Sequence, residues 1–382
     1  MKASGGTLES RGMPNARKKD SPEAVGVGAV DDLLAGVGLT HGRRLIRRDS
    51  PRYSRQEPDA LIETPATELA VHRAGDMELL AVPRWQKALL PHAFSTRRGG
   101  LSTAYKRGED TAGEMSPGEM NPGEMNPGEM NLGLTESDET ANVLENRRLL
   151  LAAAGAEGRT LVTLKQIHSN LTRRVTRADA ERRMRADGLM TDDPEVMLGI
   201  QTADCVPVLV RDRRTHAVAA FHAGWRGTLK RIVEGGIGKM RLEFGSRPEE
   251  LEAAIGPAIG ACCYAVGEEV RSEFLSQFSY AAELFSEVYD SDPVKEKYPL
   301  LFMTARAPGH SNMGPNLHLD LIEANRRQLL DAGLKAESIA TAYRCTHCEP
   351  ETFFSYRAEH GFCGRMMSVI GIGHPGGRAG GA

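Results

Sequence analysis

One stretch constrains the fold more than any other. Leu198-Gly-Ile-Gln-Thr-Ala-Asp-Cys-Val-Pro-Val-Leu-Val210 and His216-Ala-Val-Ala-Ala-Phe-His-Ala-Gly-Trp-Arg-Gly227 hold short apolar runs of strand length. The segment between them, Arg211-Asp-Arg-Arg-Thr215, is too polar to be buried. The pattern predicts an antiparallel hairpin. With its turn centred between Arg213 and Arg214, residues whose numbers sum to 427 oppose each other, and Cys205 with His222 is such a pair. Directly opposed side chains share a face, with Cβ atoms about 4.5–5.5 Å apart. A thiolate and an imidazole that close can hold one metal ion, or the histidine can deprotonate the cysteine. A slip of one residue would turn them to opposite faces, and Pro207 is a place for a bulge.

The rest of the chain frames this hairpin. With 382 residues there is room for one large or two ordinary domains. A hydrophobic fraction of 40% beside 41 glycines suggests a globular core with unstructured additions. Basic and acidic residues nearly cancel, 48 against 51, so no basic excess argues for nucleic acid. No apolar run approaches the roughly 18 residues of a membrane span. The start has no apolar stretch of signal-peptide type, and six cysteines are too few for a disulfide framework. Reduced thiols and a cytoplasmic location are expected.

Residues 1–76, with basic clusters at Arg17-Lys18-Lys19 and Arg43-Arg44 to Arg47-Arg48, read as a disordered extension. It is either a basic arm for an acidic partner or a solvated tail, with Met77 as the true start. Residues 77–374 read as one α+β domain without βαβ regularity. Strands are expected near Leu79, Phe94, 160–168, 251–255, 339–344 and 366–372, and helices over 136–154, 266–278 and 317–332. Thr228 is read as the N-cap of a helix running to Phe244. Residues 111–130 carry Gly-Glu-Met at 113, 118, 123 and 128, a period that fits neither helix nor strand, so this insert is read as a loop. Its methionines are soft ligands of a kind that suits Cu(I), but expansion of a tolerant loop is the simpler account. Residues 375–382 form a glycine-rich tail.

Three residues stand out for chemistry: His168, Cys205 and His222. A catalytic zinc keeps three protein ligands and an open position, and a lone cysteine on an apolar strand is otherwise a small hydrophobe. Arg226, at the start of the expected helix, makes an anion site with the helix amides, for which phosphate is the obvious ligand. Arg97 is a second candidate, on a basic turn. Cys345-Thr-His-Cys348 has zinc-knuckle or redox spacing. A knuckle needs a second ligand pair, and the adjacent Cys262-Cys263 are expected to aim poorly at one ion.

In order, Phe94-Ser-Thr-Arg97, Gln166-Ile-His168-Ser, Ala186-Asp187-Gly, Thr202-Ala-Asp-Cys205, His222-Ala-Gly-Trp-Arg-Gly227, Gly256-Pro-Ala-Ile-Gly260 and Phe353-Phe-Ser-Tyr-Arg357 resemble the YfiH family, whose members are labelled polyphenol oxidases, laccase-domain proteins or purine nucleoside phosphorylases. The resemblance spans 77–373 and departs from the pattern in the long extension and the Gly-Glu-Met insert. It implies a four-layer α/β/β/α fold akin to the catalytic domain of cytotoxic necrotizing factor. It also implies zinc, or copper, on His168, Cys205 and His222. The activity implied is phosphorolysis of adenosine, inosine and methylthioadenosine, with hydrolytic deamination of adenosine. For the substrates, Arg226 is the first choice for phosphate, Arg97 and Arg357 follow, and Gln166 and Asp187 complete the substrate set, with Asp187 as a candidate proton carrier. Other readings use the same hairpin: a one-electron copper centre of a laccase-like oxidase, or a metal-free hydrolase of peptidoglycan precursors with Cys205 as nucleophile and His222 as base. Multicopper chemistry needs His-x-His pairs, and none of the 11 histidines forms one. A non-catalytic binding module is the remaining alternative.

Overall fold

The computed structural model describes residues 45–47 (backbone only), 68–105, 128–289 and 316–373. In chain order the main strands are β1 (Ala70–Ala74), β2 (Met77–Ala81), β3 (His92–Ser95), β4 (Thr160–Val162), β5 (Thr172–Arg174), β6 (Gly188–Thr191), β7 (Val196–Thr202), β8 (Val206–Asp212), β9 (Val218–Ala223), β10 (Leu251–Ile255), β11 (Ile339–Thr341) and β12 (Met366–Gly371). The main helices are α1 (Thr140–Ala153), α2 (Trp225–Leu229), α3 (Ile232–Phe244), α4 (Glu268–Gln277) and α5 (Leu321–Asp331). Six strands form one sheet in the order β1-β2-β3-β12-β7-β4, and six form another in the order β11-β10-β8-β9-β6-β5. The fold is mixed α and β, and no helix among the described residues is long and apolar enough to cross a membrane.

Side-chain alternation explains how these pieces pack. Along β8, Val206, Val208 and Val210 face one way, onto Ile232, Val233, Ile237 and Met240 of α3 and Leu321 and Leu329 of α5. Leu209 faces the other way, into a core shared with Phe94, Leu198, Ile200 and Ile370 of the first sheet. On the far side of that sheet, Leu79, Met197, Met367 and Val369 bury Leu150 and Leu151 of α1. A strand covered on both faces reads as a continuous apolar run rather than an alternating one, which is what Val206-Pro-Val-Leu-Val210 is. Each such side chain contributes roughly 1.5–3 kcal/mol on burial.

The hairpin exists, with a different register. Val206 opposes Ala223 and Pro207 opposes His222, so paired numbers sum to 429. Asp212 is the cause. It stays in the strand, its amide donates to the Ala217 carbonyl at 2.9 Å, and its carboxylate accepts from the amides of Arg214 and Thr215 at 2.7 and 3.0 Å. His216 closes the turn in the left-handed region at φ 64°. The shift is even, so Cys205 and His222 keep the same side as diagonal neighbours. The first arm is also not one strand. The chain leaves the first sheet at Thr202 and joins the second at Val206, and Ala203-Asp204-Cys205 is the crossing, with Asp204 at φ 86°.

Other expectations shift as well. The fold does not start at Met77: β1 pairs along its whole length with β2, and Glu68 bridges to Thr341. Being an edge strand with an exposed middle, β1 shows no apolar alternation in its sequence. The last Gly-Glu-Met copy is part of the fold, since Gly128 and Glu129 pair with Gly100 and Arg98 and Met130 is buried. The rest of the insert, residues 111–127, lies outside the described residues, as do 1–44, 48–67, 106–110, 290–315 and 374–382. Thr228 is not an N-cap. It is buried inside α2, where Asn325 Nδ2 donates to its Oγ1 at 3.0 Å and Gln328 Nε2 to its carbonyl at 2.6 Å. Arg231, at φ 58°, then separates α2 from α3.

Candidate metal centre

The site is built outward from one carboxylate. Asp187, just before β6, is fully buried. A buried charge persists only when hydrogen-bonded, and Asp187 is surrounded by donors. Its Oδ1 accepts from the amides of Ile167 and His168, both at 3.0 Å. Its Oδ2 accepts from the amide and hydroxyl of Ser169, at 2.6 and 2.7 Å. His222 Nδ1 lies 2.9 Å from Oδ1, and the His222 amide donates to the Asp187 carbonyl at 2.7 Å. Burial opposes its charge, yet the hydrogen bonds from His222 and Ser169 hold the carboxyl at about 2. Wrapping 167–169 around this group puts His168 in the left-handed region at φ 56°, in a loop beyond the strand that was expected to carry it. Asp187 is thus an orienting anion rather than a proton carrier or a substrate contact.

Because Asp187 only accepts, His222 Nδ1 carries the proton and Nε2 is left as a ligand atom. The ligand atoms of His168, Cys205 and His222 all lie within 4.8 Å of one another. The two imidazoles meet edge-on, with centroids 5.0 Å apart. Gly224 permits this approach, since a Cβ there would stand 2.9 Å from Cys205 Sγ and 3.0 Å from His168 Cδ2. Burial raises the Cys205 thiol, but the His222 charge and hydrogen bonds from both histidines bring it down to about 6. Burial lowers His222, but the Cys205 thiolate and Asp187 raise it to about 9. Two nitrogens and a thiolate, one imidazole backed by a carboxylate, match the donor set of a three-ligand catalytic zinc and its usual outer support. The same set suits copper.

Two exposed arginines lie on segments tied to this cluster, Arg226 four residues after His222 and Arg357 through the Asp204 that precedes Cys205. Arg226 lies over the Trp225 ring at 4.3 Å, and Arg357 over the Tyr264 ring at 5.3 Å. Arg357 also donates to the Ala265 carbonyl at 3.1 and 3.2 Å, and its amide donates to Asp204 Oδ2 at 2.7 Å. Burial pushes the Tyr264 phenol up, and it senses the charges of Cys205, Arg357, Asp204 and Arg226. The expected helix-start anion site is reduced to side chains: α2 has five residues and a glycine N-cap.

Gln166 and Arg97 have internal partners. Gln166 Nε2 donates to the Gln201 carbonyl at 2.7 Å while its Oε1 accepts from the Gln201 amide at 2.8 Å, extending the edge of β7. Arg97 is buried over Phe354, and its guanidinium donates to Glu129, Glu359 and the carbonyls of Pro350 and Tyr105. Asp204, Ser169 and Tyr264 escaped the sequence reading. Asp204 and Ser169, beside Cys205 and His168 in motifs already singled out, carried a local signal, and Tyr264 carried none.

Comparisons with known proteins show the family. The family model described as multi-copper polyphenol oxidoreductase laccase matches residues 91–373. Purine nucleoside phosphorylase YlmD of Bacillus subtilis is 32% identical over 248 residues, 63% of this chain and 81% of the relative. Adenosine deaminase RL5, from an unknown prokaryotic organism, is 31% identical over 228 residues, 58% of this chain and 78% of the relative. The crystal structure of the hypothetical protein YfiH of Bacillus licheniformis superposes with a TM-score of 0.60 at 29% identity, covering 79% of this chain and 98% of that one.

Proposed function

The chain belongs to the YfiH family of multi-copper polyphenol oxidoreductase laccase proteins, and we propose that it is a zinc-dependent purine nucleoside phosphorylase with an adenosine deaminase side activity. The reading rests on one observation: an oriented His2Cys set with the exposed Arg226 and Arg357 on segments attached to it. The names of the relatives supply purine nucleosides and adenosine as the substrate class, and the family resemblance adds inosine and methylthioadenosine.

In phosphorolysis a phosphate oxygen bonds to C1′ of the ribose as the bond to the purine nitrogen breaks, and the purine leaves with the electron pair and gains a proton. Arg226 and Arg357 hold the phosphate, each guanidinium stiffened by the ring beneath it. Tyr264, kept protonated by burial, is a donor beside Arg357. Asp187 holds the proton on His222 Nδ1 and so aims Nε2 at the centre. A zinc held by His168, Cys205 and His222 supplies Lewis acidity. A four-layer α/β/β/α arrangement is part of this reading, supported by three cores: α1 on the first sheet, sheet on sheet, and the second sheet on α3 and α5. So is a cytoplasmic location, which six free thiols favour.

The test is product analysis with purified, zinc-loaded protein. Inosine plus phosphate should give hypoxanthine and ribose 1-phosphate, and adenosine without phosphate should give inosine. Failure with all three nucleosides would overturn the reading. A second reading is favoured by the Cys205 thiol near 6 beside His222 near 9: His222 as base has taken the thiol proton, leaving a thiolate nucleophile for peptidoglycan precursors and an imidazolium that returns the proton to the leaving group. Removal of metal separates the two: a hydrolase keeps turning over and the phosphorylase stops. Copper on the same donors would make a one-electron centre. Among the described residues the other group of three or more ligands contains no histidine to extend it toward a laccase cluster.

A further inference from the structure

A second group of donors has no part in this site. Cys262, Cys263, Cys345 and Cys348 bring all four sulfurs within 4.8 Å of one another. The sequence reading expected adjacent cysteines to aim apart, but the turn after Gly260 curls tightly enough to bring them together. The amides of Cys263 and Tyr264 both donate to the Gly260 carbonyl, at 2.9 and 3.0 Å. This turn is stitched to the loop that carries the other pair. The Ala258 amide donates to the Arg344 carbonyl at 3.3 Å, the Thr346 amide to the Ala258 carbonyl at 3.0 Å, and the Gly260 amide to Cys345 Sγ at 3.2 Å. A side chain at Gly260 would crowd the group, since a Cβ there would lie 3.2 Å from both Cys262 Sγ and Cys345 Cβ.

The distances discriminate between the uses of four thiols. Cys348 Sγ is 3.6 Å from Cys262 Sγ and 3.4 Å from Cys263 Sγ. One sulfur can form only one disulfide, at about 2.0 Å, whereas two near-equal approaches to the same sulfur suit a shared centre. A tetrahedral ion with Zn–S bonds of about 2.3 Å has sulfur–sulfur edges of about 3.8 Å. An iron–sulfur cluster, with inorganic sulfide inside it, would spread the four thiolates farther apart. We propose that Cys262, Cys263, Cys345 and Cys348 form a closed structural site for one thiophilic divalent cation, zinc in a cell.

The site staples two loops onto the floor of the catalytic cluster. Thr346, between the two ligands of the second loop, donates from Oγ1 to buried Asp204 Oδ1 at 2.6 Å. From the first loop, the Ile259 amide donates to the Asp204 carbonyl at 2.9 Å. Asp204 precedes Cys205 and sits in the left-handed region, so both loops hold the crossing that presents the thiol. The proposal stands whether or not the protein is a phosphorylase.

The decisive experiment uses the full chain with Cys205→Ser and His222→Ala, which leaves the four thiols in place. After zinc loading and desalting, elemental analysis should find about one zinc per chain, against about two in the unmodified protein. Intact-mass analysis after maleimide treatment should count four more labelled thiols once a chelator is added, and chelation should lower the melting temperature. A metal-free variant with all four thiols reactive before chelation would overturn the proposal. So would masses 2 Da lighter per disulfide in protein purified without reductant. Cys345→Ser with Cys348→Ser should lose the same single zinc. If that pair fails to fold, the thiol count in the first variant still decides.

Discussion

The two groups of donors are made in opposite ways. His168, Cys205 and His222 come from a loop, a sheet crossing and a central strand, and range from exposed to buried. Their support is a carboxylate in the interior, and two exposed arginines stand on segments attached to them. The four cysteines come from two turns near the surface and present sulfur alone. Mixed donors with a free position suit chemistry, whereas four thiolates fill a coordination sphere and suit construction. The lesson is that ligand number and second partners, more than the presence of cysteine, separate a reactive centre from a staple.

The contrast breaks first if losing a donor from either group has the same consequence. His222→Ala should lower turnover at least about 100-fold, the upper end of what losing an orienting partner costs. Cys345→Ser should chiefly lower the melting temperature, with turnover reduced no more than the roughly tenfold lower end. Steady-state rates and melts on both variants decide it. Asp187→Asn keeps the shape but removes the charge behind His222 and the acceptor for Ser169. It should weaken zinc at the His2Cys set by about 10- to 100-fold and leave the cysteine site filled. Competition with a chelator reads both, and equal weakening of the two would erase the distinction.

A smaller effect is expected at the arginines. Arg226→Ala removes a charge-assisted contact worth at least about 1.5 kcal/mol, so the KM for phosphate should rise roughly tenfold while that for nucleoside stays put. An unchanged phosphate KM would move the anion to Arg357. The last test alters no maximal rate, only its pH dependence. In metal-stripped protein, alkylation of Cys205 should be half-maximal at about 6, below the ordinary thiol value of 9.0. The sign follows from a depressed acid: thiolate persists above about 6, and the rate falls as pH falls through it. A midpoint above 8 would mean that His222 does not support the thiolate.

Much of the reactive centre was legible because its residues lie in short motifs, two of them on or beside long apolar strands. The predicted Cys205–His222 proximity survived a register error because the error was even, and side-chain facing depends on parity. What remained hidden was tertiary. Nothing near Asp187 in sequence reveals that three amides from 167–169 fold around it, so its role as an orienting anion could not be read. Arg97 looked like a surface cation, and only the arrival of Glu129 and Glu359 from distant loops buries it. The cysteine group was misjudged because adjacency says little when a turn reverses between neighbours.

Asp187 has a further consequence. Its hydrogen bonds tie the 167–169 loop and His222 to one buried anion, so the orientation of two of the three donors depends on a single carboxylate. First-row divalent metals that share a donor set are sorted in cells largely by supply. The ion found in any one preparation therefore records the medium and the purification as much as the chain. Two batches of identical sequence, grown with different trace metals, would be different catalysts.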